Sequence, residues 1–185
     1  MKSPEIVRWP VEPLPDAESL HPGPDDAALA MAATAIAMPA GAPLRRVVLT
    51  RAVQIGLAAV GRRDYEAWRR VYAPNAEFYL TARDWLALGL LPELTHGCEN
   101  GWRNQAGILD AIAELRIEPR ELIDPGHSRF ATRVLISGRG RESGLAMHME
   151  HWYVWFLENL LIAREYGVAT EEEAVGLLRT DQPSS

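Results

Sequence analysis

The chain has 185 residues, 48% of them hydrophobic and 24% charged, with a formal net charge of −6. This is the make-up of a soluble chain with room for one sizeable core, and its acidic balance argues against a nucleic-acid binder, which needs a basic footprint for phosphates. One cysteine, Cys98, excludes an internal disulfide and fits a reducing compartment, and no stretch approaches the roughly 20 apolar residues that span a bilayer.

Residues 1–25 hold six prolines, which excludes a regular helix and favours an extended arm. Ala27 to Met38 reads as a short Ala-rich helix capped by Asp25 or Asp26 and closed by Pro39 and Gly41. The two aspartates stand where a signal peptide would be positive, so a cytoplasmic protein without membrane contact is expected. Pro43 opens a longer helix to Val60. Leu44, Val47, Val48, Ala52, Ile55 and Ala59 stripe one side of it, and Leu49, Val53 and Leu57 broaden the stripe. Gly61 ends that helix, and Asp64 caps the next, on which Tyr65, Trp68 and Tyr72 share a face and Arg62, Arg63, Arg69 and Arg70 are left for solvent. Pro74 stops this second helix, and Glu77 to Leu80 alternates as a strand does.

Residues 81–103 read as loop, with Trp85, His96, Cys98 and Trp102 in it; Asn104 then caps a helix carrying Ile108, Leu109, Ile112 and Leu115. Strands follow at Arg116–Ile123, Arg129–Ser137, Leu145–Phe156 and Leu160–Tyr166, punctuated by Asp124-Pro125-Gly126, by Gly138, Gly140 and Gly144, and by Glu158-Asn159. Thr170 and Glu173 match the reciprocal capping box of a tail helix presenting Val175, Leu177 and Leu178. Helices first and then an antiparallel meander make an α+β plan, in which the leading helices cover the concave face of a curved sheet and leave a cavity between.

Several segments resemble the SnoaL-like, polyketide cyclase-like branch of the nuclear transport factor 2-like (NTF2-like) superfamily. They are Asp64-Tyr65-Glu66-Ala67-Trp68, Tyr72-Ala73-Pro74-Asn75-Ala76-Glu77-Phe78, Gly101 through Ile108, Ile117-Glu118-Pro119 with Leu122-Ile123-Asp124 and Gly126, His151-Trp152-Tyr153-Val154-Trp155-Phe156, and Arg164-Glu165-Tyr166. The resemblance covers about residues 44–180. It implies a cone-shaped, mostly antiparallel sheet packed against N-terminal helices, a cystatin-like roll. A Pro/Ala-rich extension over 1–43 and a tail over 181–185 lie outside it. The stretch 81–100 is longer than the family's usual loop, and Glu158-Asn159 replaces its aspartate-glycine turn, although asparagine can still adopt the left-handed conformation.

The superfamily holds cyclases, isomerases, dehydratases and members that only bind or dimerise, so the fold alone assigns no activity. Its steroid isomerases place a tyrosine and an aspartate at positions that fall here near Gly56 and Leu80, neither of which can act. Cyclase-type members pair an acidic base on the last strand with a histidine on the strand before; Glu165 and His151 occupy those places and are the catalytic candidates. Read from the strands, His151 shares a face with Met147, Met149, Tyr153 and Trp155, where it could orient a substrate oxygen or satisfy one core hydrogen bond. Glu165 is either a base raised by burial or half of an ion pair with Arg133 or Arg164. Candidate substrate contacts are Tyr79, Trp85, Trp102, Arg133, Met149, Tyr153 and Trp155, with the 81–103 loop as a lid. The spacing of His96, Cys98, Glu99 and Asp84 matches no metal template, and neither metal nor cofactor is expected.

Two readings stay open. One is a cofactor-independent cyclase, isomerase or dehydratase moving a proton on an apolar, cyclic carbonyl compound. The other is a non-catalytic small-molecule-binding or dimerisation module. The resemblance implies a homodimer through the outer face of the sheet, where Trp152, Val154 and Phe156 form an apolar row opposite His151.

Overall fold

The computed structural model describes residues 6–11, 34–80 and 94–180. The start of the expected Ala-rich helix, Trp85 and most of the expected lid lie outside them, and residues 34–36 form a helical turn. Strand β1 is Val7–Pro10; helices α1, Pro43–Gly61, and α2, Tyr65–Val71, precede β2, Tyr72–Leu80; β3, Leu94–His96, leads into α3, Cys98–Ala111. The meander β4, Ile112–Asp124, β5, Arg129–Gly140, β6, Ala146–Glu158, and β7, Leu161–Val168, ends in helix α4, Glu171–Arg179.

The seven strands of the described residues join one sheet in the order β1-β4-β5-β6-β7-β2-β3. Every pairing is antiparallel except β2 with β7, which is parallel. Register shifts interrupt β4 against β5, β6 against β7 and β2 against β7, and such bulges bend a sheet. The α+β plan therefore stands, as a curled sheet with helices on its two faces. On the inner face, α1 packs Val48, Leu49, Val53 and Leu57 over Leu122, Phe130, Val134, Ile136 and Trp155. On the outer face, α4 packs Ala174, Val175 and Leu178 over Ile123, Ala131, Trp152 and Val154.

Several local expectations shift. The second helix ends at Val71, and Pro74 lies inside β2, at the irregularity between Tyr72 and Glu77 where β2 gives up regular pairing with β7. A strand tolerates proline where the ladder is broken. The third helix starts at Cys98 rather than at Asn104, with Gly97 as its N-cap at φ +87°. Its first turn buries Cys98 and Gly101, which carry almost no apolar signal, and a Cβ on Gly101 would come within 2.3 Å of the Phe78 ring. On α1, Leu44 and Val47 are 57% and 63% exposed, whereas Arg45 is fully buried. Its guanidinium donates to both oxygens of Asp124, at 2.6 and 2.7 Å, and to the carbonyls of Ala35, Met38 and His127.

The proline-rich arm contributes an edge strand. Val7–Pro10 pairs with Asp124 to Glu121, and the buried Trp9 donates its indole N–H to Thr50 Oγ1 at 3.0 Å. So residues 6–11 wrap their own domain, with Arg8 reaching Glu171 on α4. The apolar row expected to meet a second copy is largely covered from within: Trp152 and Val154 are buried beneath α4, and Phe156 carries the Arg164 guanidinium over its ring at 5.0 Å. Asn159 and the following Leu160 both adopt the left-handed conformation in the β6–β7 turn, at φ 51° and 73°. The capping box of α4 is complete, with Thr170 and Glu173 each accepting from the other's backbone N–H. No helix among the described residues is long and apolar enough to cross a membrane.

Candidate functional site: a carboxyl in an aromatic cavity

Between α3, the C-terminal half of α1 and the inner face of the sheet lies a cavity of about 90 Å³. Aromatic rings make much of its wall. Trp68 stacks on Tyr72 at 4.1 Å and on Phe78 at 5.5 Å, while Tyr153 and Trp155, two residues apart on β6, lie nearly parallel at 6.0 Å. The polar groups in the lining are few: Glu165 on β7, Tyr72, Tyr79, Tyr153, Thr95 on β3, and Asn104 and Gln105, consecutive on α3. A predominantly apolar wall with a small polar set is the usual make-up of a small-molecule site.

Glu165 is the most unusual of these groups. Only 6% exposed, it is one of the few buried ionisable side chains, and β7 directs it inward because Arg164 and Tyr166 face the other side of the strand. Oε2 accepts from the Tyr72 hydroxyl and from Trp155 Nε1, the latter at 2.7 Å. Oε1 receives only Gln105 Nε2, at 3.4 Å, among the described residues. Burial pushes the Glu165 carboxyl above the usual range, against the opposing pull of the Tyr72 and Trp155 donors. Tyr72 and Tyr153 are both pushed upward by burial, with the Glu165 carboxylate adding to each shift, so both hydroxyls keep their protons and remain donors.

The structure brings some of the expected site residues together and separates others. Glu165, Tyr153, Trp155 and Tyr79 line the cavity. Tyr79 does so only along its strand: its ring stacks on Tyr166 at 4.5 Å and its hydroxyl donates to Glu77, away from Glu165. His151 is buried on the inner face of β6 opposite Val134, but it is not among the residues that line the cavity. Lying two residues before Tyr153, it is about 6–7 Å further along the strand from that lining residue. Met149 packs into the main core, and Trp102 lies behind the wall, 5.5 Å from both Trp68 and Tyr65. Arg133 projects from the outer face towards Glu150, at 3.2 Å, and Glu121, at 3.6 Å, so neither it nor Arg164 is the partner of Glu165.

The partners that Glu165 does have were hidden in the sequence for separate reasons. Tyr72 reads as the last apolar position of a helix, whereas its place at the start of β2 turns the hydroxyl onto β7. Gln105 reads as a surface residue just after a cap. It faces the cavity because it lies three and four residues before Ile108 and Leu109, on the same side of α3. Of the residues weighed as metal ligands, His96 sits 3.5 Å from Glu77, Glu99 pairs with Arg103, and Cys98 is buried in α3, where burial raises its thiol.

No family model matches the chain, and no curated protein does. Solved structures do. A protein of unknown function from Burkholderia pseudomallei K96243, described as NTF2-like, superposes with a TM-score of 0.55 at 20% identity, over 69% of this chain and 95% of that one. A candidate SnoaL-like polyketide cyclase from Jannaschia sp. CCS1 gives 0.54 at 12% identity, over 73% and 92%. A Mycobacterium tuberculosis protein in complex with estradiol-17β-hemisuccinate gives 0.52 at 14% identity, over 65% and 92%. The chain has the NTF2-like fold, the one found in SnoaL-like proteins.

Proposed function

We propose that the protein binds a small cyclic carbonyl compound in this cavity and moves a proton on it without a cofactor, Glu165 acting as the base. The observation that carries this reading is the asymmetric environment of Glu165, a buried carboxyl with one oxygen saturated and the other weakly held. Two donors on Oε2 fix the side chain's rotamer. Oε1 is then the oxygen left to meet a C–H bond beside a carbonyl. The carboxylate takes that proton, the carbon's electron pair passes into an enolate, and returning the proton at the same or another carbon completes an exchange or an isomerisation. The Tyr153 hydroxyl makes no hydrogen bond among the described residues and lines the same space, so it can donate to the enolate oxygen. In this reading the orienting role expected of His151 passes to Tyr153. The Mycobacterium tuberculosis protein of this fold holds a steroid ester, which supports an apolar ring-containing ligand.

A second reading, a binding module without chemistry, is favoured by one observation. The cavity of about 90 Å³ is smaller than the roughly 150 Å³ of an engineered cavity known to take benzene, so a ring needs the walls to yield. Deuterium exchange separates the two. In D2O, wild-type protein should accelerate α-proton exchange of 2-cyclohexenone, followed by NMR, and Glu165→Gln should lose about 10²-fold or more of that acceleration. Equal exchange with and without protein, alongside saturable binding of the enone, would establish the binding module instead.

A further inference from the structure

We propose that Gln105 is the positioning residue of Glu165: its carboxamide holds the carboxyl oxygen that Tyr72 and Trp155 leave open, through a hydrogen bond long enough for a bound ligand to displace. This rests on Glu165 being the working group of the cavity. Three features of α3 place the carboxamide. Gly101 lies directly on the Phe78 ring, so the helix approaches β2 more closely than any residue with a Cβ would allow. Asn104 donates from Nδ2 to Thr95 Oγ1 at 2.8 Å, tying the helix to β3 and setting its rotation. Gln105, the next residue, thereby faces β7 and reaches Glu165 Oε1 at 3.4 Å.

That distance exceeds the usual 2.7–3.2 Å range, so the contact is weak compared with the two bonds on Oε2. The difference has a chemical use. Strong donors on one oxygen orient the carboxyl permanently, whereas a weak donor on the other gives it a hydrogen-bond partner without blocking it. A carboxamide also serves either protonation state, because its NH2 donates to a carboxylate and its C=O, after rotation, accepts from a carboxylic acid. The base can therefore take up and release its proton without losing its neighbour. A hydrocarbon at position 105 would leave Oε1 bare when ionised.

Glu165 and Gln105 report on each other by NMR without any substrate. The titratable groups facing Glu165 are Tyr72 from β2 and Tyr153 from β6, both held protonated far above the carboxyl range. Among the described residues, the side chains hydrogen-bonded to Glu165 are Tyr72, Trp155 and Gln105, none of them charged. In protein carrying 13C-carboxyl glutamate and 15N glutamine, the Gln105 side-chain NH2 signals should move with the same midpoint as the Glu165 carboxyl and stop moving in Glu165→Gln. In Gln105→Met, close in volume but without the amide, the Glu165 midpoint should rise, because the ionised form has lost a donor. Gln105→Ala should give the same direction, which guards against a folding defect peculiar to one variant. PH-silent Gln105 signals, or an unmoved Glu165 midpoint in both variants, would overturn the proposal. Coupled titrations with no enone exchange would leave the positioning role intact and refute only the catalytic reading.

Discussion

Glu165 ties the chemistry of the site to the stability of the protein. Burial raises its carboxyl above the value it has in the unfolded chain, so the folded state holds its proton more tightly. The contribution is fully present below the unfolded value and is lost as pH rises through the folded one. Replacing Glu165 by Gln removes the charged form while keeping an acceptor for Tyr72 and Trp155. Urea unfolding of wild type and Glu165→Gln should show the variant gaining relative stability as pH rises through that window, with no divergence below it. Parallel curves would mean that Glu165 is solvated in the folded state. The same penalty is the reason to read the residue functionally: a buried carboxyl without a cationic partner costs stability, and a glutamine would satisfy the same donors without that cost.

At the scale of the element, α3 carries the argument. Its inner side brings Gly101, Asn104, Gln105 and Ile108 to the cavity, and Gly101 sets how close the helix comes. Gly101→Ala favours the helix by propensity, by up to about 1 kcal/mol. It also drives a methyl group into the buried Phe78 ring, which must move. Overpacking of this kind costs about 1–3 kcal/mol and wins, so denaturant unfolding should show net destabilisation, and the Gln105 NH2 signals should lose part of their coupling to Glu165. A stabilised variant with unchanged coupling would show that α3 has room to spare.

Across the whole molecule, one buried ion pair fastens residues 35–38 of the N-terminal extension, beside the strand pairing that holds residues 7–10. Arg45 joins α1 to Asp124 at the β4–β5 turn and, through carbonyl contacts, to Ala35 and Met38 of the extension, while Asp124 also accepts from the Gly126 N–H at 2.8 Å. With every donor engaged the pair is satisfied, but removing one partner leaves a buried charge bare. Arg45→Met should therefore cost about 3–5 kcal/mol, measured by urea denaturation, whereas an Arg45→Met, Asp124→Leu double variant should recover much of the loss. Limited proteolysis should cut the single variant first near residues 34–42. A loss below about 1 kcal/mol would show the pair to be solvated, as surface pairs are.

What the sequence determined by itself was the order and kind of most elements and the family of folds. Its signals were local ones: Asp64 capping α2, Thr170 and Glu173 closing on each other, Asn159 in the left-handed turn, and alternation along β5 and β6. It also singled out Glu165, through the resemblance to cyclase-type members, whose acidic base falls at this place on the last strand. Only the tertiary structure decided the rest. Arg45 and Leu44 exchanged their expected places because a partner 79 residues away, Asp124, makes the arginine the better buried residue. Trp152 and Val154 found their cover in α4 of the same chain, and a proline-rich arm became an edge strand because β4 had an open edge to pair with. The donors around Glu165 come from β2, β6 and α3, which meet only when the sheet curls. A periodicity reports which side of an element is buried. It cannot report which distant polar group waits on the other side of the cavity.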